Sequence, residues 1–207
     1  LSGALNFGNG IDFSIGFWMK SSTTPSSSKR ILDKETGSEW YNFYVNDGII
    51  YFDVQGNGGT RVQVSTGVVA TDGKWHHIVG VKASDSTKIY MDGVLKKIEG
   101  ATTGSIAPTA VLFVGRDSTS YYTGLVDEVK IVNRSLTAAE IAADYKKGVR
   151  FASSDGEAPT TESGVRWQPG RFVENQSADS PGANGNVTGY WRFDEGTGST
   201  VTRDVSG

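Results

Sequence analysis

The sequence predicts an all-β fold of short antiparallel strands with one short helix. Glycine supplies 27 of the 207 residues, which favours many tight turns. The segments between the turns are rich in β-branched and aromatic residues, as strands are. Only the segment that follows Leu136 has a helical pattern of apolar residues. A chain of this length can form one large all-β domain or two small ones.

The composition excludes several classes of protein. The net charge is −3 and no long basic run occurs, which argues against nucleic acid or anionic membranes as partners. No apolar run approaches the roughly 20 residues of a membrane span. The absence of cysteine excludes disulfides, thiolate metal sites and cysteine catalysis. The chain begins at Leu1 without a signal-like segment, which indicates a processed or excised chain.

The first half of the chain contains alternating segments and one strong hairpin signal. In residues 13–20, alternation puts Phe13, Ile15, Phe17 and Met19 on one face. The sequence Asn-Asp-Gly at 46–48 favours a tight turn, because Asp and Gly tolerate a positive φ angle. The strands predicted in this half are 1–7, 13–20, 30–34, 40–45, 49–54 and 60–65.

The second half contains five more strands and then the helix. The strands predicted here are 75–82, 88–91, 94–98, 110–115 and 124–132. Thr137 and Glu140 have the spacing of a capping box, so the helix is predicted over 137–147. Ile141 and Tyr145 lie one turn apart and form its packing face. Gly148 stands where a left-handed C-terminal cap is expected.

The character of the sequence changes after residue 148. Residues 149–186 are mixed polar sequence, which we interpret as a linker or an extended arm. Residues 187–207 contain Tyr-Trp-Arg-Phe followed by Gly-rich turn sequence, which predicts a final β-strand. The body of the domain is therefore expected within residues 1–148.

The order of motifs resembles a laminin G-like domain of the concanavalin A-like lectin/glucanase superfamily. The motifs are ALNF, FSIGFWMK, DGKWHHIVGV, KIYMDG and GLVDEVKIVNRSL followed by TAAEI. The resemblance implies a jelly roll, in which two antiparallel sheets pack face to face. In this family the motif YW-x-FDE-G-x-G opens the domain, whereas here it comes last, as YWRFDEGTG.

The displaced strand, with Tyr190, Trp191 and Phe193, has three ways to complete a sandwich. It can fold back onto its own domain, insert into the next subunit, or begin the next unit of a tandem array. We expect one of the last two, because the final DVSG would run directly into the LSGALNF of a following unit. This predicts a non-catalytic extracellular structural protein that assembles head to tail into a surface filament or array. The alternative is a carbohydrate-binding or adhesion module of a larger tandem-repeat surface protein.

Catalysis is not expected. The glucanases of the superfamily carry their carboxylates in an E-x-D-x-E arrangement on one strand, and this pattern is absent here. Asp127 and Glu128 are adjacent, so strand alternation predicts that they point to opposite faces. His76 and His77 are the two histidines, and the sequence assigns neither a catalytic partner. We expect both to pack and to form hydrogen bonds within their strand.

The resemblance also implies a structural calcium ion that ties the opening strand to the last strand. The matching positions are Asp127 in the last strand, Asp194 or Asp204 in the opening segment, and a carbonyl near Asn9. The alternative is that these acids are solvated or cap turns.

Sugar binding is the other function that the resemblance implies. Sugars need exposed aromatic faces and a few planar polar groups. The candidates are Trp40, Tyr44, Arg116, Tyr121 and Tyr122, with Tyr41 and Asp117 beside them. The alternative is that these aromatic residues are half-buried members of the sandwich.

Three segments fit the acceptor pattern for N-glycosylation. They begin at Asn133, Asn175 and Asn186.

Overall fold

The computed structural model describes residues 5–152 and 187–191, and it confirms the antiparallel β-sandwich. In chain order the elements are β1 (Phe13–Lys20), β2 (Lys29–Thr36), β3 (Glu39–Asn46), β4 (Ile49–Gln55), β5 (Val62–Val69), β6 (Trp75–Lys82), β7 (Thr87–Met91), β8 (Val94–Glu99), β9 (Phe113–Val114), β10 (Leu125–Val132), α1 (Ala138–Ala152) and β11 (Val187–Trp191). One sheet has the order β11-β10-β1-β6-β7-β8, and the other has the order β5-β4-β3-β2-β9.

The core lies between the inner faces of the two sheets. The four residues predicted on one face of β1 are all buried, with at most 1% of each side chain exposed: Phe13, Ile15, Phe17 and Met19. They meet aromatic residues of the opposite sheet, as in the edge-to-face contact of Phe17 with Phe43 at 5.0 Å between ring centroids. The period of two along β1 therefore determines which residues hold the sheets together.

Three predicted strands differ from those observed. In the segment predicted as strand 1–7, Phe7 forms only an isolated bridge to Ile106, and residues 1–4 lie outside the described residues. Phe7 stacks on Phe13 at 4.1 Å, so this segment enters the core as a loop. The strand predicted over 110–115 shortens to β9. The strand predicted over 60–65 begins at Val62 and continues to Val69, and the loop before it packs tightly against the backbone at 103–104.

The helix begins as predicted and ends later. Thr137 Oγ1 accepts a hydrogen bond from Glu140 N at 3.2 Å, and Glu140 Oε2 accepts one from Thr137 N at 2.8 Å, which confirms the capping box. Gly148 is not the C-terminal cap, since α1 continues to Ala152. Its α-carbon lies against the indole of Trp18, and an added Cβ would stand 2.1 Å from Trp18 Cζ2. Glycine is needed here for close packing of α1 on the outer face of the six-stranded sheet.

We predict that Gly148→Ala destabilises the domain, although alanine favours helices. Overpacking against Trp18 should lower the free energy of unfolding by about 1–3 kcal/mol, more than the gain in helix propensity. Urea unfolding of the variant and the wild type measures the difference. Gly100→Ala is the control, because a Cβ at Gly100 meets nothing within 4 Å. Equal stability of the Gly148→Ala variant and the wild type would contradict the packing described.

The final strand lies beside β10 of its own chain. β11 pairs antiparallel with β10, with Trp191 opposite Val129 and Tyr190 opposite Lys130. This is the fold-back arrangement, one of the three ways to complete a sandwich, and head-to-tail completion stays a prediction. Pairing within the chain covers an edge of β10 that would otherwise be open, and the tether keeps the strand at a high effective concentration. Phe193 lies outside the described residues.

His76 is held between two carboxylates at one end of the six-stranded sheet. Its Nδ1 lies 2.8 Å from Asp92 Oδ2, and its Nε2 lies 2.9 Å from Asp72 Oδ1. A neutral imidazole has one N–H and can donate to only one of them, whereas the imidazolium donates to both. The hydrogen bond with Asp92 is the main reason why the pKa of His76 is raised, and Asp72 adds to it. His77 is buried, and burial lowers its pKa to about 4.

We predict that His76 stabilises the fold most when it is protonated. Because its pKa is higher in the folded state than in the unfolded state, this stabilisation is complete below the unfolded pKa of about 6.5. It is lost as the pH rises through the folded pKa. The difference in melting temperature between wild type and His76→Gln should therefore shrink from pH 6 to pH 9. Lys97→Gln, which breaks an exposed ion pair with Glu99, is the control. A difference for His76→Gln that does not change with pH would contradict the protonated His76 held between Asp72 and Asp92.

Candidate ligand-binding face

The candidate site is the outer face of the five-stranded sheet. Tyr41 and Phe43 of β3 are fully buried in the core. Because side chains alternate along a strand, Trp40, Asn42 and Tyr44 face outward. This face is opposite the core and is not the face on which α1 packs.

A row of polar side chains crosses this face, one from each of three adjacent strands. In register, Asp33 of β2 is opposite Asn42 of β3, and Asn42 is opposite Asp53 of β4. Asn42 is 0% exposed, Asp53 2% and Asp33 6%. Gln63 of β5 and Phe113 of β9 extend the row at either end. Two longer side chains contact these buried polar groups: Arg30 contacts Asp33 and Asn42, and Arg61 contacts Asp53.

One of the adjacent rows is aromatic and rigid. The rings of Tyr44 and Tyr51 stack at 4.8 Å with an interplanar angle of 7°. The guanidinium of Arg30 lies 5.0 Å from the centroid of the Tyr44 ring, and Gln63 Nε2 donates to Tyr44 Oη at 2.6 Å. These contacts fix the orientation of both the ring and the hydroxyl group of Tyr44.

Arg61 is fixed on the other side of the polar row. Its Nε and Nη2 donate to the two carboxylate oxygens of Asp53 at 3.0 Å and 2.7 Å. This bidentate hydrogen bonding raises the pKa of Arg61. The guanidinium lies 5.6 Å from the centroid of the Trp40 ring, and the Arg61 side chain is 52% exposed. Arg61 therefore presents an oriented cationic group to solvent above a buried carboxylate.

Three buried polar atoms of this face have no hydrogen-bond partner within the described part of the chain. They are Asp33 Oδ1, Trp40 Nε1 and Asn42 Nδ2. Arg30 Nε approaches Asp33 Oδ1 to 3.5 Å without forming a hydrogen bond, and Arg30 Nη1 donates to Asn42 Oδ1 at 3.4 Å. Unsatisfied buried polar groups are costly and uncommon in folded proteins. Their concentration beneath one face marks a place where the domain holds polar groups at a cost in stability.

The raised pKa of Asp33 reflects the free-energy cost of burying its charge. Burial raises it to about 6, against the opposing effect of Arg30. The charges of Glu35 and Asp117 also raise it. Ionised Asp33 is therefore expected to cost the domain stability at this buried position.

We predict that Asp33→Asn stabilises the domain near neutral pH. The raised folded pKa means that ionised Asp33 destabilises the fold above about pH 6, and that this penalty disappears below about pH 4. The variant should gain about 1–2 kcal/mol in free energy of unfolding at pH 7.5, and the gain should vanish near pH 4. Urea unfolding at both pH values checks this. Destabilisation at both would mean that the ion pair with Arg30 outweighs the burial of Asp33.

The loop after β9 brings a second set of candidate residues to the same face. The guanidinium of Arg116 lies between two rings, 4.8 Å from the centroid of Phe113 and 5.4 Å from that of Tyr121. Asp117 closes the loop by accepting hydrogen bonds from the backbone and side chains of the residues that follow it. Tyr121 is 69% exposed. The loop therefore adds an exposed aromatic ring at the edge of the polar row.

The structure brings together four of the five predicted sugar-binding residues. Trp40 and Tyr44 lie on the outer face of β3, and Arg116 and Tyr121 lie at its β9 edge. Tyr122 is not part of this face, because its ring packs against the core. Burial raises the pKa of Tyr122 to about 12.

The sequence reasoning missed Asp33, Asn42, Asp53 and Arg61. A signal for two of them was present. Asn42 lies between Trp40 and Tyr44 on the same alternation, and the hairpin register places Asp53 opposite Asn42. The partners in β2 and β5 come from strand pairings that no local pattern reveals.

The predicted calcium ligands do not meet within the described residues. Asp127 pairs with Trp18 near the end of β1, whereas Asn9 belongs to the turn that precedes the start of β1. Asp194 and Asp204 lie outside the described residues. Residues 5–152 and 187–191 contain no group of three or more His, Cys, Asp or Glu side chains that could hold a metal ion. The calcium site remains a prediction.

A β-bulge changes the geometry expected for Asp127 and Glu128. Glu128 has a φ angle of 49°, and the register with β1 shifts between Gly16 and Trp18. Val126 and Val129 both pack against the core, so the two acids between them lie on the outer side of the sheet. The prediction that they point to opposite faces is wrong, because alternation does not hold across a bulge.

The predicted glycosylation sites are untested. Asn133 is exposed after β10, while Asn175 and Asn186 lie outside the described residues. In the part of the chain that the structure describes, no helix is long and apolar enough to cross a membrane.

The family of the chain follows from comparison with known proteins. The laminin G-like model of the concanavalin A-like lectin/glucanases superfamily matches residues 2–142, more than half of the chain. The chain belongs to this family. The resemblance stated from the sequence motifs is thereby confirmed. The match covers the elements from β1 to β10, including every residue of the candidate ligand-binding face.

This laminin G-like domain matches only part of the length of each of the following relatives. The chain is 25% identical over 145 residues to the non-toxic nonhemagglutinin type E of Clostridium botulinum, covering 67% of this chain and 12% of that protein. Among solved structures, the binding domain of botulinum neurotoxin serotype D matches with a TM-score of 0.59 and 15% identity, over 71% of this chain and 38% of that one.

The binding domain of Paraclostridial Mosquitocidal Protein 1 matches with a TM-score of 0.57 and 14% identity, over 70% of this chain and 39% of that one. At these identities the structural likeness concerns the fold alone. The chain spans about two fifths of the length of each of these binding domains.

Proposed function

We propose that this laminin G-like domain is a non-catalytic, extracellular carbohydrate-binding module of a larger protein. The ligand lies on the outer face of the five-stranded sheet. The observation that carries the proposal is the set of oriented aromatic rings and guanidinium groups on this face, with Arg61 and Tyr121 exposed.

The chemistry of this face suits a saccharide. A sugar ring has apolar C–H patches that stack on aromatic faces, and hydroxyl groups that both donate and accept hydrogen bonds. Trp40, Tyr51 and Tyr121 supply aromatic surface, and Arg61 supplies N–H donors. The relatives named as binding domains support a binding role for this fold, and their names do not identify the ligand of this chain.

Strand donation into a filament has less support than sugar binding. β11 already occupies the edge of β10 in its own chain, so no vacant edge at β10 invites a donor strand. Calcium at Asp127 stays a subsidiary proposal, and a chelator that leaves the melting temperature unchanged would count against it.

We predict that the isolated chain binds glycans on an array and that binding depends on the aromatic and guanidinium groups of this face. Arg61→Ala and Tyr121→Ala should each weaken binding by about tenfold, the equivalent of roughly 1.4 kcal/mol. Isothermal titration calorimetry with the best array hit gives the affinities. Val94→Ala is the control, since Val94 is 57% exposed and lies on β8 of the six-stranded sheet.

Two outcomes would contradict the proposal. The first is the absence of binding to any glycan by the folded wild type. The second is release of reducing ends from the bound oligosaccharide, which would indicate hydrolysis instead of binding alone.

A further inference from the structure

We propose that the candidate face selects neutral saccharides over anionic ones, because buried carboxylates neutralise the guanidinium groups that it presents. This inference rests on the proposed function and specifies the chemical class of its ligand. The carboxylates are Asp53 beneath Arg61 and Asp33 beside Arg30.

The pairing of Arg61 with Asp53 is the stronger of the two. The two carboxylate oxygens of Asp53 accept hydrogen bonds from Nε and Nη2 of Arg61. Nη1 of Arg61 is therefore available to donate to a ligand. The carboxylate is 2% exposed, so water screens it weakly, and its charge acts on whatever approaches the guanidinium. A hydroxyl or ring oxygen can accept from Nη1, whereas a carboxylate or sulfate group gains little net attraction.

Asp33 and Arg30 repeat the arrangement two strands away. The pair is looser, with 3.5 Å between Arg30 Nε and Asp33 Oδ1, and this oxygen accepts no hydrogen bond within the described residues. Asp33 Oδ1 is buried and out of reach of a surface ligand, so the carboxylate acts through its charge, which repels an anion near Arg30. Asp33 therefore disfavours a ligand that brings negative charge.

The charges over the whole face agree with this. Arg30 and Arg61 form ion pairs with Asp33 and Asp53. Glu35 and Asp117 lie near enough to raise the pKa of Asp33, and they offset the charge of Arg116, so these groups together leave no excess of positive charge. Sites that recognise anionic groups present uncompensated cations. Here the guanidinium groups act as oriented hydrogen-bond donors.

The test compares the wild type with Asp53→Asn on an array of matched glycan pairs that are neutral or carry a sialic acid or sulfate. Asparagine keeps the shape of the side chain and can still accept from Arg61, while the buried negative charge is removed. The wild type should prefer the neutral member of each pair. In Asp53→Asn the ratio of anionic to neutral binding should rise by roughly tenfold, the effect of about one charge-assisted hydrogen bond.

Asp85→Asn is the matched control. Asp85 is exposed in the turn between β6 and β7, and its replacement changes the net charge by the same amount. An unchanged ratio in this variant shows that the shift comes from the site and not from the overall charge. If Asp53→Asn does not fold, as judged by circular dichroism, the ratio of anionic to neutral binding is measured with Asp33→Asn, which removes the carboxylate paired with Arg30.

The outcomes separate this inference from the proposed function. A wild type that binds no glycan overturns both. A wild type that binds glycans but prefers the anionic members, or a ratio unchanged in both Asp53→Asn and Asp33→Asn, overturns the charge selection alone and leaves the sugar-binding proposal in place. A neutral preference that shifts toward anions in the variants, and not in Asp85→Asn, supports it.

Discussion

The register of the β3–β4 hairpin is the constraint on which the candidate face depends. The turn consists of Asp47 and Gly48, with φ angles of 50° and 79°. Two positive φ angles give the primed turn whose twist matches that of the strands. A slip of one residue would exchange the two faces of β4 relative to β3 and would bury Asp53 in the core. The turn therefore sets the register that places both the core residues and the polar row on their respective faces.

The sequence reveals this hairpin because its signals are local. Asp-Gly specifies the turn, alternation assigns Trp40 and Tyr44 to one face, and the capping box at Thr137 marks the start of α1. The same reasoning fails where a contact with a residue distant in the sequence determines the local structure. Gly148 matched a helix C-terminus, but the indole of Trp18, brought over it by the sheet, explains the glycine.

The residues of the candidate site also differ in whether local sequence signals predict them. Its aromatic residues stand out in the sequence, and three of those predicted, Trp40, Tyr44 and Tyr121, lie on the face. The charged residues of the face, such as Asp53 and Arg61, match no local sequence motif. Their ion pair follows from the pairing of β4 with β5, which the sequence does not reveal. The bulge at Glu128 and the fold-back of β11 are likewise decided by tertiary context, because a bulge leaves no local signature and the linker length permits either direction.

The polar row also explains how the face combines rigidity with recognition. A guanidinium on an open surface loses side-chain entropy when it binds a ligand, and its affinity falls accordingly. Asp53 has already removed that freedom from Arg61 in the unbound protein, and the ring of Trp40 limits the remaining motion. The cost of this order appears as buried polar atoms without partners and as the raised pKa of Asp33. Apolar residues in the same positions would serve a purely structural role better, and this cost therefore agrees with the proposed binding role of the face.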